Sequence, residues 1–372
     1  MTKSRPQTAE PANRIAPAAF RRGLLAHFDR YRRDLPWRRD RTPYSVVVSE
    51  FMLQQTRVET VIPYYRRWLA RFPDWRSLAG ATDDEVLLAW KGLGYYGRAR
   101  NLHRTATMVC ERFGGRLPQD PRELCSLPGV GEYTAGAVAS IAFGKAVPAV
   151  DGNVRRVLSR LLDVGDPTLA RLRDEATHLI DPDRPGDFNE ALMELGATIC
   201  TPRTPRCGVC PVADQCGALA AGTVAERPLR SVRKRVPRVE YAVAVVVAEA
   251  PDAVGAAASE ADAPDAADAP DAPSPALSHG GAPLRTLLVK RPPTGLLAGM
   301  WEFPTLSTLA DLGLTGTPGP PLDPVTHAFT HLRATYRPVI VRVGPGAAGA
   351  LGPGAAARSP ATRAAPRGAP AP

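Results

Sequence analysis

Four of the six cysteines lie close together in the segment CTPRTPRCGVCPVADQC (200–216), with the spacing C-x6-C-x2-C-x5-C. Zinc sites usually combine two C-x2-C pairs, whereas this segment contains one. Four thiolates on one compact loop are common ligands of iron–sulfur clusters, although this spacing differs from the familiar ferredoxin patterns. The spacing therefore favours iron–sulfur over zinc, with zinc as the alternative. The four candidate ligands are Cys200, Cys207, Cys210 and Cys216.

Two carboxylates stand in surroundings that do not suit a charge. Glu50 lies in VVVSEFMLQQT, and Asp151 lies in PAVDGNVRRVLSR, just before a helix expected to begin near Asn153. Each has a simpler reading, because Glu50 could be a paired buried carboxylate and Asp151 a helix N-cap. Together they suit cleavage of a glycosidic bond. That chemistry commonly uses one carboxyl kept protonated by burial and one that stays ionised beside the cationic sugar.

Two further features could bind phosphate. LPGVGEYTAGAV (127–138) places Gly129 and Gly131 between two helical patterns, where backbone N–H groups and a helix N-terminus can face an anion. An ordinary helix–helix turn is the alternative. Arg203 and Arg206 lie in TPRTPR, within the cysteine segment, and a metal cluster that fixes this loop would hold their guanidinium groups ready for phosphates.

The elements that must position these residues are helices. From about residue 18 to 221, apolar residues recur at three- and four-residue spacing, as in TRVETVIPYYRRWLARF (56–72), and this predicts an all-helical region. Strands are predicted later, at 240–250, 285–291 and 337–343. The Ala/Asp/Pro-rich stretch between the first two strands predicts a disordered insertion, and the Gly/Ala/Pro-rich C-terminal segment a disordered tail.

Charge points to a polyanionic partner. The 372-residue chain has a formal net charge of +10. Eight of its 37 acidic residues fall between Glu240 and Pro283, a stretch without Lys or Arg, so the remainder has 47 bases against 29 acids. Nucleic acid is the first candidate, and plain solubility the alternative. The opening MTKSRPQTAEPANR lacks a secretory h-region, and no apolar run could span a bilayer, so a cytoplasmic protein without membrane contact is expected.

Several of these strings occur together in one known family. The cysteine segment and LPGVGxxTAxAV resemble the endonuclease III and MutY superfamily of helix–hairpin–helix DNA glycosylases. SExMLQQT and DGNVxRVxxR resemble its MutY-type adenine DNA glycosylases, and the resemblance covers roughly residues 20–222. It implies a mainly α, two-lobed helical domain at 18–222 that carries one 4Fe–4S cluster on the four cysteines. A monovalent cation at the helix–hairpin–helix is a further candidate.

Composition and the resemblance together indicate how the chain is divided. A disordered tail at 1–17 would precede a six-helix lobe at about 36–145 and an iron–sulfur lobe built from 18–35 and 146–222. A linker at 223–237 would lead to a small α+β Nudix-like domain at 238–345, with its disordered insertion at 251–283 and a tail at 346–372.

The resemblance assigns chemical roles to residues near the two carboxylates. Glu50 would protonate the adenine ring and then help water to attack, while Asp151 would stabilise the oxocarbenium-like sugar with support from Asn153. Tyr133 stands where bifunctional relatives carry a lysine that attacks the sugar. Since tyrosine cannot form that Schiff base, the resemblance implies a monofunctional enzyme that leaves an abasic site.

Other matched positions would contact DNA. The target adenine must leave the helix before any side chain can reach its glycosidic bond. Four residues match positions that wedge into the base stack: Gln54, Gln55, Leu93 and Tyr95. For Leu93 and Tyr95 the alternative is an ordinary place in the helical core. Three more match positions that line the adenine pocket: Arg33, Arg38 and Glu194.

The C-terminal region resembles the Nudix-like domain of MutY-type enzymes, on the string LLVKRPPTGLLAGMWEFPTL (287–306). The magnesium-binding box of true Nudix hydrolases is missing, so nucleotide hydrolysis is not expected. Phe329, Thr330 and His331 match a loop that touches 8-oxoguanine, and the Thr330 hydroxyl could respond to the proton at N7 of that base. The family's domain continues with further strand and helix, so an incomplete sheet is expected here.

The combined prediction is a monomeric base excision repair enzyme, associated with the bacterial nucleoid. It would remove adenine opposite 8-oxoguanine or guanine in double-stranded DNA. A related glycosylase for thymine opposite guanine is one alternative, and a non-catalytic iron–sulfur DNA-binding protein is another.

Overall fold

The computed structural model describes residues 15–229, 236–249, 284–291, 300–311, 316–329 and 332–343. The chain divides into two compact units, 1–232 and 233–372. The predicted disordered insertion at 251–283 and tail at 346–372 lie outside the described residues, as do Thr330 and His331.

The first unit is helical throughout its described part, as the apolar spacing predicts. Its helices are α1 Pro17–Tyr31, α2 Pro36–Arg39, α3 Pro43–Leu53, α4 Val58–Arg71, α5 Trp75–Ala79, α6 Asp83–Trp90, α7 Gly97–Phe113, α8 Pro121–Cys125, α9 Glu132–Phe143, α10 Gly152–Leu161, α11 Leu169–Leu179, α12 Pro185–Thr198 and α13 Gly217–Ala220. None of the described helices is both long and apolar enough to cross a bilayer.

Local sequence signals fix where several helices begin. The Thr42 side chain accepts a hydrogen bond from the Ser45 N–H, and Pro43 occupies the first turn of α3, where its missing N–H costs nothing. Thr82 and Glu85 form a reciprocal capping box at the start of α6. Such caps satisfy N–H groups that have no partner inside the helix, so each of these two helices begins at a defined residue.

Two hydrophobic cores divide the first unit into two lobes. The first core is drawn from positions 35–139 and includes α2 to α9. The second combines α1 with residues 150–212, so the chain leaves this lobe after its first helix and returns to it later. The predicted two-lobed helical fold is confirmed.

The end of the predicted N-terminal tail belongs to the folded domain. Residues 1–17 are predicted to be a disordered tail, but α1 starts at Pro17 and Ile15 is buried in the second core. The prediction is wrong for these last residues, because the apolar side chain of Ile15 has a core to enter. Residues 1–14 lie outside the described part.

The second unit contains a small sheet and one short helix. Its elements are β1 Arg238–Glu249, β2 Leu284–Thr286, β3 Val289–Lys290, β4 Trp301–Glu302, α14 Leu306–Asp311, β5 Thr317–Pro321, β6 Val325–Ala328 and β7 Arg333–Val343. The sheet has the order β2–β1–β7–β5, with β6 also paired to β7, and β3 pairs with β4 separately. β1 and β7 run parallel, and Ala244, Val246, Val341 and Leu309 of α14 form a small core beneath them.

One predicted strand is divided in the structure. The sequence predicts a single strand at 285–291, whereas β2 ends at Thr286 and β3 begins at Val289. The chain changes pairing partner at this point, because β2 pairs with β1 and β3 pairs with β4. An apolar run alone does not show which neighbour each half will pair with.

Candidate active site

A cavity of about 710 Å³ opens where the two lobes of the first unit meet. Its wall includes residues from α3 and the loop after it, from α9 and α10, and from α12. Nine residues predicted from the sequence line it: Arg33, Arg38, Glu50, Gln54, Gln55, Tyr133, Asp151, Asn153 and Glu194. Residues that are far apart in the sequence thus line one cavity.

Glu50 is placed in this cavity by a helix that is buried on almost every side. Residues 44–52 of α3 are all buried, and Glu50 itself is 6 % exposed. Burial raises the pKa of its carboxyl to about 7, and the nearby Asp151 and Glu190 carboxylates add to the rise. A carboxyl with this pKa can donate a proton near neutral pH.

Tyr133 orients the Glu50 carboxyl. Its Oη donates a hydrogen bond to Oε2 of Glu50 at 2.7 Å and lies 3.4 Å from Sδ of Met193. Burial, together with the charges of Glu50 and Asp151, holds the pKa of Tyr133 well above its usual value. The phenol therefore stays protonated, and it opposes the rise in the Glu50 pKa by favouring the ionised carboxylate.

Asp151 caps α10 and faces the same cavity. Its Oδ1 accepts a hydrogen bond from Val154 N at 2.7 Å, and its Oδ2 accepts one from Asn153 Nδ2 at 2.9 Å. Burial raises the pKa of Asp151, while these N–H donors oppose the rise by stabilising the ionised form. The N-cap interpretation and the catalytic interpretation are thus compatible in one residue.

Arg156 connects this carboxylate to the cysteine segment. One guanidinium nitrogen donates to Oδ1 of Asn153 at 2.9 Å and to the Gly196 carbonyl at 2.8 Å, while Nε donates to the Cys200 carbonyl at 2.8 Å. Helices α10 and α12 are in close contact here, because a Cβ on Gly196 would lie 2.7 Å from the Cβ of Asn153. The first cysteine and Asp151 are therefore held by one chain of contacts.

The cavity wall also carries a charged network. Arg33 binds both carboxylate oxygens of Glu194, at 2.8 and 2.9 Å, and Arg38 bridges Glu194 at 2.9 Å and Glu190 at 3.1 Å. Burial alone would raise the Glu194 pKa, but the hydrogen bonds from Arg33 and Arg38 outweigh it and hold the pKa below its usual value. This network joins α12 to the segment before α3.

Glu190 is a cavity residue that the sequence reading missed. It is buried, lines the cavity and also binds Arg41. Burial raises its pKa, and the two arginines oppose the rise. The signal was present in FNEALMELG, where Glu190 and Glu194 stand four residues apart, on one face of an otherwise apolar helix.

The four residues expected to wedge into DNA lie on two loops. Gln54 and Gln55 follow α3 and line the cavity, whereas Leu93 and Tyr95 lie between α6 and α7. Tyr95 is 49 % exposed, but Leu93 is buried in the first core. Insertion of Leu93 into a base stack would require it to leave that core, so its role stays a prediction.

The glycine turn joins α8 to α9. Gly129 has φ +77°, and a Cβ there would lie 2.8 Å from atoms of Asn101 and 3.0 Å from the Phe51 ring. Gly131 is the N-cap of α9 in an extended conformation. The turn therefore needs glycine at 129 and presents the N-terminus of a twelve-residue helix, which is the geometry of an anion site.

The four cysteines surround one small region of the second lobe. All are half-buried, and Cys200, Cys210 and Cys216 pack against the second core. Burial raises the pKa of Cys210 to about 11, and the other three thiols add to the rise, so they lie near one another. Across the described ranges, no three His, Cys, Asp or Glu side chains could hold a single metal ion. Four half-buried thiols on one compact loop match the donor set of an iron–sulfur cluster.

A buried arginine fixes the cysteine loop. Arg160 is 2 % exposed and donates to Cys200 Sγ at 3.3 Å and to the Thr201 carbonyl at 2.8 Å. Arg203 and Arg206, the predicted phosphate contacts, are exposed, and Arg206 also donates to the Thr198 carbonyl at 2.7 Å.

In the second unit only one residue of the predicted lesion loop is described. The Phe329 N–H donates to the Leu332 carbonyl at 2.8 Å, and its ring packs edge-on against His327 at 4.5 Å.

Comparisons with known proteins identify the family. Residues 48–182 match the HhH-GPD superfamily of base excision DNA repair proteins, 200–216 the iron–sulfur binding domain of endonuclease III, and 280–368 the NUDIX domain. The chain is 40 % identical over 387 residues to the adenine DNA glycosylase of Rattus norvegicus, covering 86 % of this chain and 69 % of that one. This chain belongs to the adenine DNA glycosylase family. An adenine DNA glycosylase of Mycolicibacterium smegmatis is 45 % identical, over 56 % of this chain and 73 % of the relative.

Membership of this family confirms several predictions from the sequence. The chain is a DNA N-glycosylase of base excision repair with an iron–sulfur cluster and a C-terminal Nudix-like domain. Among solved structures, a thermostable thymine-DNA glycosylase is similar, with a TM-score of 0.52 and 30 % identity over 55 % of this chain and 97 % of that one. The monovalent cation at the glycine turn stays a prediction.

Proposed function

We propose that this adenine DNA glycosylase removes adenine that is mispaired with 8-oxoguanine or guanine, and that it does so without cutting the strand. The observation that carries the proposal is that Glu50, Asp151 and Tyr133 face one cavity in different electrostatic surroundings. A base drawn out of the duplex would enter this cavity, because the glycosidic bond is shielded inside the stack.

Proton transfer to the base is assigned to Glu50. With its pKa raised to about 7 by burial, the Glu50 carboxyl can carry a proton at neutral pH. Protonation of a ring nitrogen makes adenine a better leaving group. The resulting Glu50 carboxylate, oriented by Tyr133, then accepts a proton from the attacking water.

Stabilisation of the sugar is assigned to Asp151. The Val154 and Asn153 N–H groups favour its ionised form, and Arg156 holds Asn153 in place. An anion at this position favours the positive charge that develops on the sugar ring in the transition state. Because Tyr133 replaces a lysine nucleophile, no Schiff base forms and the product is an abasic site.

Recognition is divided among the remaining predicted residues. Glu194, Arg33 and Arg38 form the polar wall that would meet adenine, and the loops of Gln54–Gln55 and Leu93–Tyr95 would fill the vacated stack. The lesion opposite is assigned to the second unit through three residues: Phe329, Thr330 and His331. The enzyme is proposed to act as a monomer.

Anchoring to phosphates is assigned to the glycine turn and to the arginines of the cysteine loop. The cluster supplies structural support there, because its thiolate bonds would pin the loop that carries Arg203 and Arg206. Arg160 supports the same loop from the core side through Cys200 and Thr201.

The test uses four duplexes, A:8-oxoguanine, A:G, T:G and A:T, with products read before and after hot alkali. Adenine release with strand breaks only after alkali supports the proposal, and preference for 8-oxoguanine supports lesion reading. Thymine release would favour the alternative mismatch glycosylase. Breaks without alkali would contradict the Tyr133 argument, and no release by folded, cluster-loaded protein would favour a binding role.

A further inference from the structure

The two loops expected to enter DNA have unusual backbone conformations. Gln55 has φ +55° and Tyr95 has φ +49°, in the left-handed region that non-glycine residues rarely adopt. Gly92 and Gly94, beside Tyr95, also have positive φ, at +101° and +70°. Such conformations persist only where the surrounding structure holds them, and they cluster at functional sites.

A single buried side chain holds both loops. Arg98, in the first turn of α7, is 8 % exposed. Its Nη1 donates to the carbonyls of Phe51 at 3.0 Å and Met52 at 2.8 Å, and it also reaches the Gln54 carbonyl. These are carbonyls at the C-terminal end of α3, where the helix dipole is negative.

The other nitrogen of the same guanidinium binds the second loop. Nη2 donates to the carbonyls of Leu93 and Gly94, both at 3.2 Å, and to Oγ1 of Thr56 at 3.0 Å. The guanidinium also lies over the Tyr95 ring, 5.5 Å from its centroid. All of these oxygen acceptors are neutral, so the charge is balanced by backbone dipoles. Burial accordingly lowers the Arg98 pKa to about 10.

We infer that Arg98 is a positioning residue that fixes the Gln54–Gln55 loop and the Leu93–Tyr95 loop relative to each other for base extrusion. Its planar fork can bind two separate sets of carbonyls at once, which a lysine ammonium cannot do. The inference rests on the proposed adenine excision, and it concerns the extrusion step rather than bond cleavage. None of the hydrogen bonds that the structure describes for Arg98 is to the Glu50 carboxyl or to Asp151.

The test compares Arg98→Lys with wild type on two DNA substrates under single-turnover conditions. Excision from an A:8-oxoguanine duplex should slow about 100-fold, because misplaced loops lose extrusion geometry. Excision of adenine facing an abasic-site analogue should slow less than about threefold, since an unpaired base is cheaper to extrude. The alkaline limb of the pH–rate profile should stay at the wild-type pH, because Glu50 is untouched.

An equal loss of excision rate on both substrates, or no loss on either, would overturn the inference. A shift of the alkaline limb of the pH–rate profile would also overturn it. The matched control is Arg112→Lys, an exposed change near the end of the same helix. It should stay within about twofold of wild type on both substrates.

A second variant and a fluorescence assay test the same role of Arg98. If Arg98→Lys fails to fold, Thr56→Val removes the contact of Arg98 with Thr56, together with the 3.4 Å hydrogen bond from Thr56 Oγ1 to the Gln54 carbonyl in the same loop. This variant should slow excision from the paired substrate about tenfold more than from the unpaired one. Equal slowing would overturn the inference. A duplex with 2-aminopurine opposite 8-oxoguanine reports extrusion by fluorescence without bond cleavage. If wild type extrudes that base but releases no adenine, the proposed function fails, and loss of the fluorescence rise in the variant still supports the role of Arg98.

Discussion

Replacing Glu50 by glutamine should stabilise the folded protein above neutral pH while it abolishes adenine excision. Burial raises the pKa of this carboxyl from 4.5 to about 7 in the folded state. Between these two values the unfolded chain has already lost the proton that the folded chain still holds. Stability therefore falls as pH rises through this window, by about 1.4 kcal/mol per pH unit.

The full penalty is reached once the pH exceeds the folded-state pKa. A rise of the pKa from 4.5 to about 7 corresponds to about 3 kcal/mol. Glutamine keeps an oxygen that can accept the Tyr133 hydrogen bond and never ionises, so Glu50→Gln should recover about 3 kcal/mol at pH 8.5. At pH 5.5 the gain should be only about 1 kcal/mol.

Urea unfolding at the two pH values, followed by tryptophan fluorescence, measures this difference. Four of the five tryptophans, at positions 37, 68, 75 and 90, lie in the first core with α3, so most of the signal reports the lobe that contains Glu50. The control is Glu111→Gln, an exposed change on α7 that should alter stability by less than about 0.5 kcal/mol. A Glu50→Gln protein that is no more stable at pH 8.5 than wild type, or is stabilised equally at both pH values, would refute the burial argument.

Three further predictions concern neighbouring groups. Tyr133→Phe removes a hydrogen bond that favours the ionised carboxylate, so the alkaline limb of the excision pH profile should move up by about one pH unit. Tyr44→Phe, whose hydroxyl binds a carbonyl in the first core, should leave that limb in place, and a downward shift for Tyr133→Phe would contradict the assignment. Asn153→Ala removes a donor to Asp151 and should lower the single-turnover rate about tenfold with little change in DNA affinity; a change in affinity alone would argue against it. Cys207→Ser should lower iron content, the urea midpoint and DNA affinity together, and normal stability without iron would show that the cluster does not support the fold.

The sequence was most informative where a residue type conflicts with its surroundings. Glu50 within an apolar helix and Asp151 before a helix could be selected by that conflict, and both line the cavity. Glu190 shows the same conflict but was overlooked, because its importance depends on Arg38 and Arg41, which are about 150 residues away in the chain. Long-range partners of this kind have no local sequence signal.

The helices of the two lobes could be predicted from the sequence, but the contacts that they make could not. Spacing predicts that α1 is amphipathic, yet it does not show that Ile15 continues into the core. In the second unit, β4, β5 and β6 are not predicted by the sequence. β5 is rich in proline and glycine, and the described side chains of β6 are all exposed, so neither has the apolar alternation of a half-buried strand.

The arrangement of the two cores has a consequence for synthesis of the protein. The first core is drawn from one continuous stretch, 35–139, and can close as soon as that stretch leaves the ribosome. Helix α1 is made earlier, but its partners lie at 150–212. At ordinary elongation rates its apolar face, with Phe20, Leu24 and Phe28, waits on the order of 10 s for them. Helix α1 is thus made before the first core but buried after it, and during that interval its apolar face is exposed to solvent.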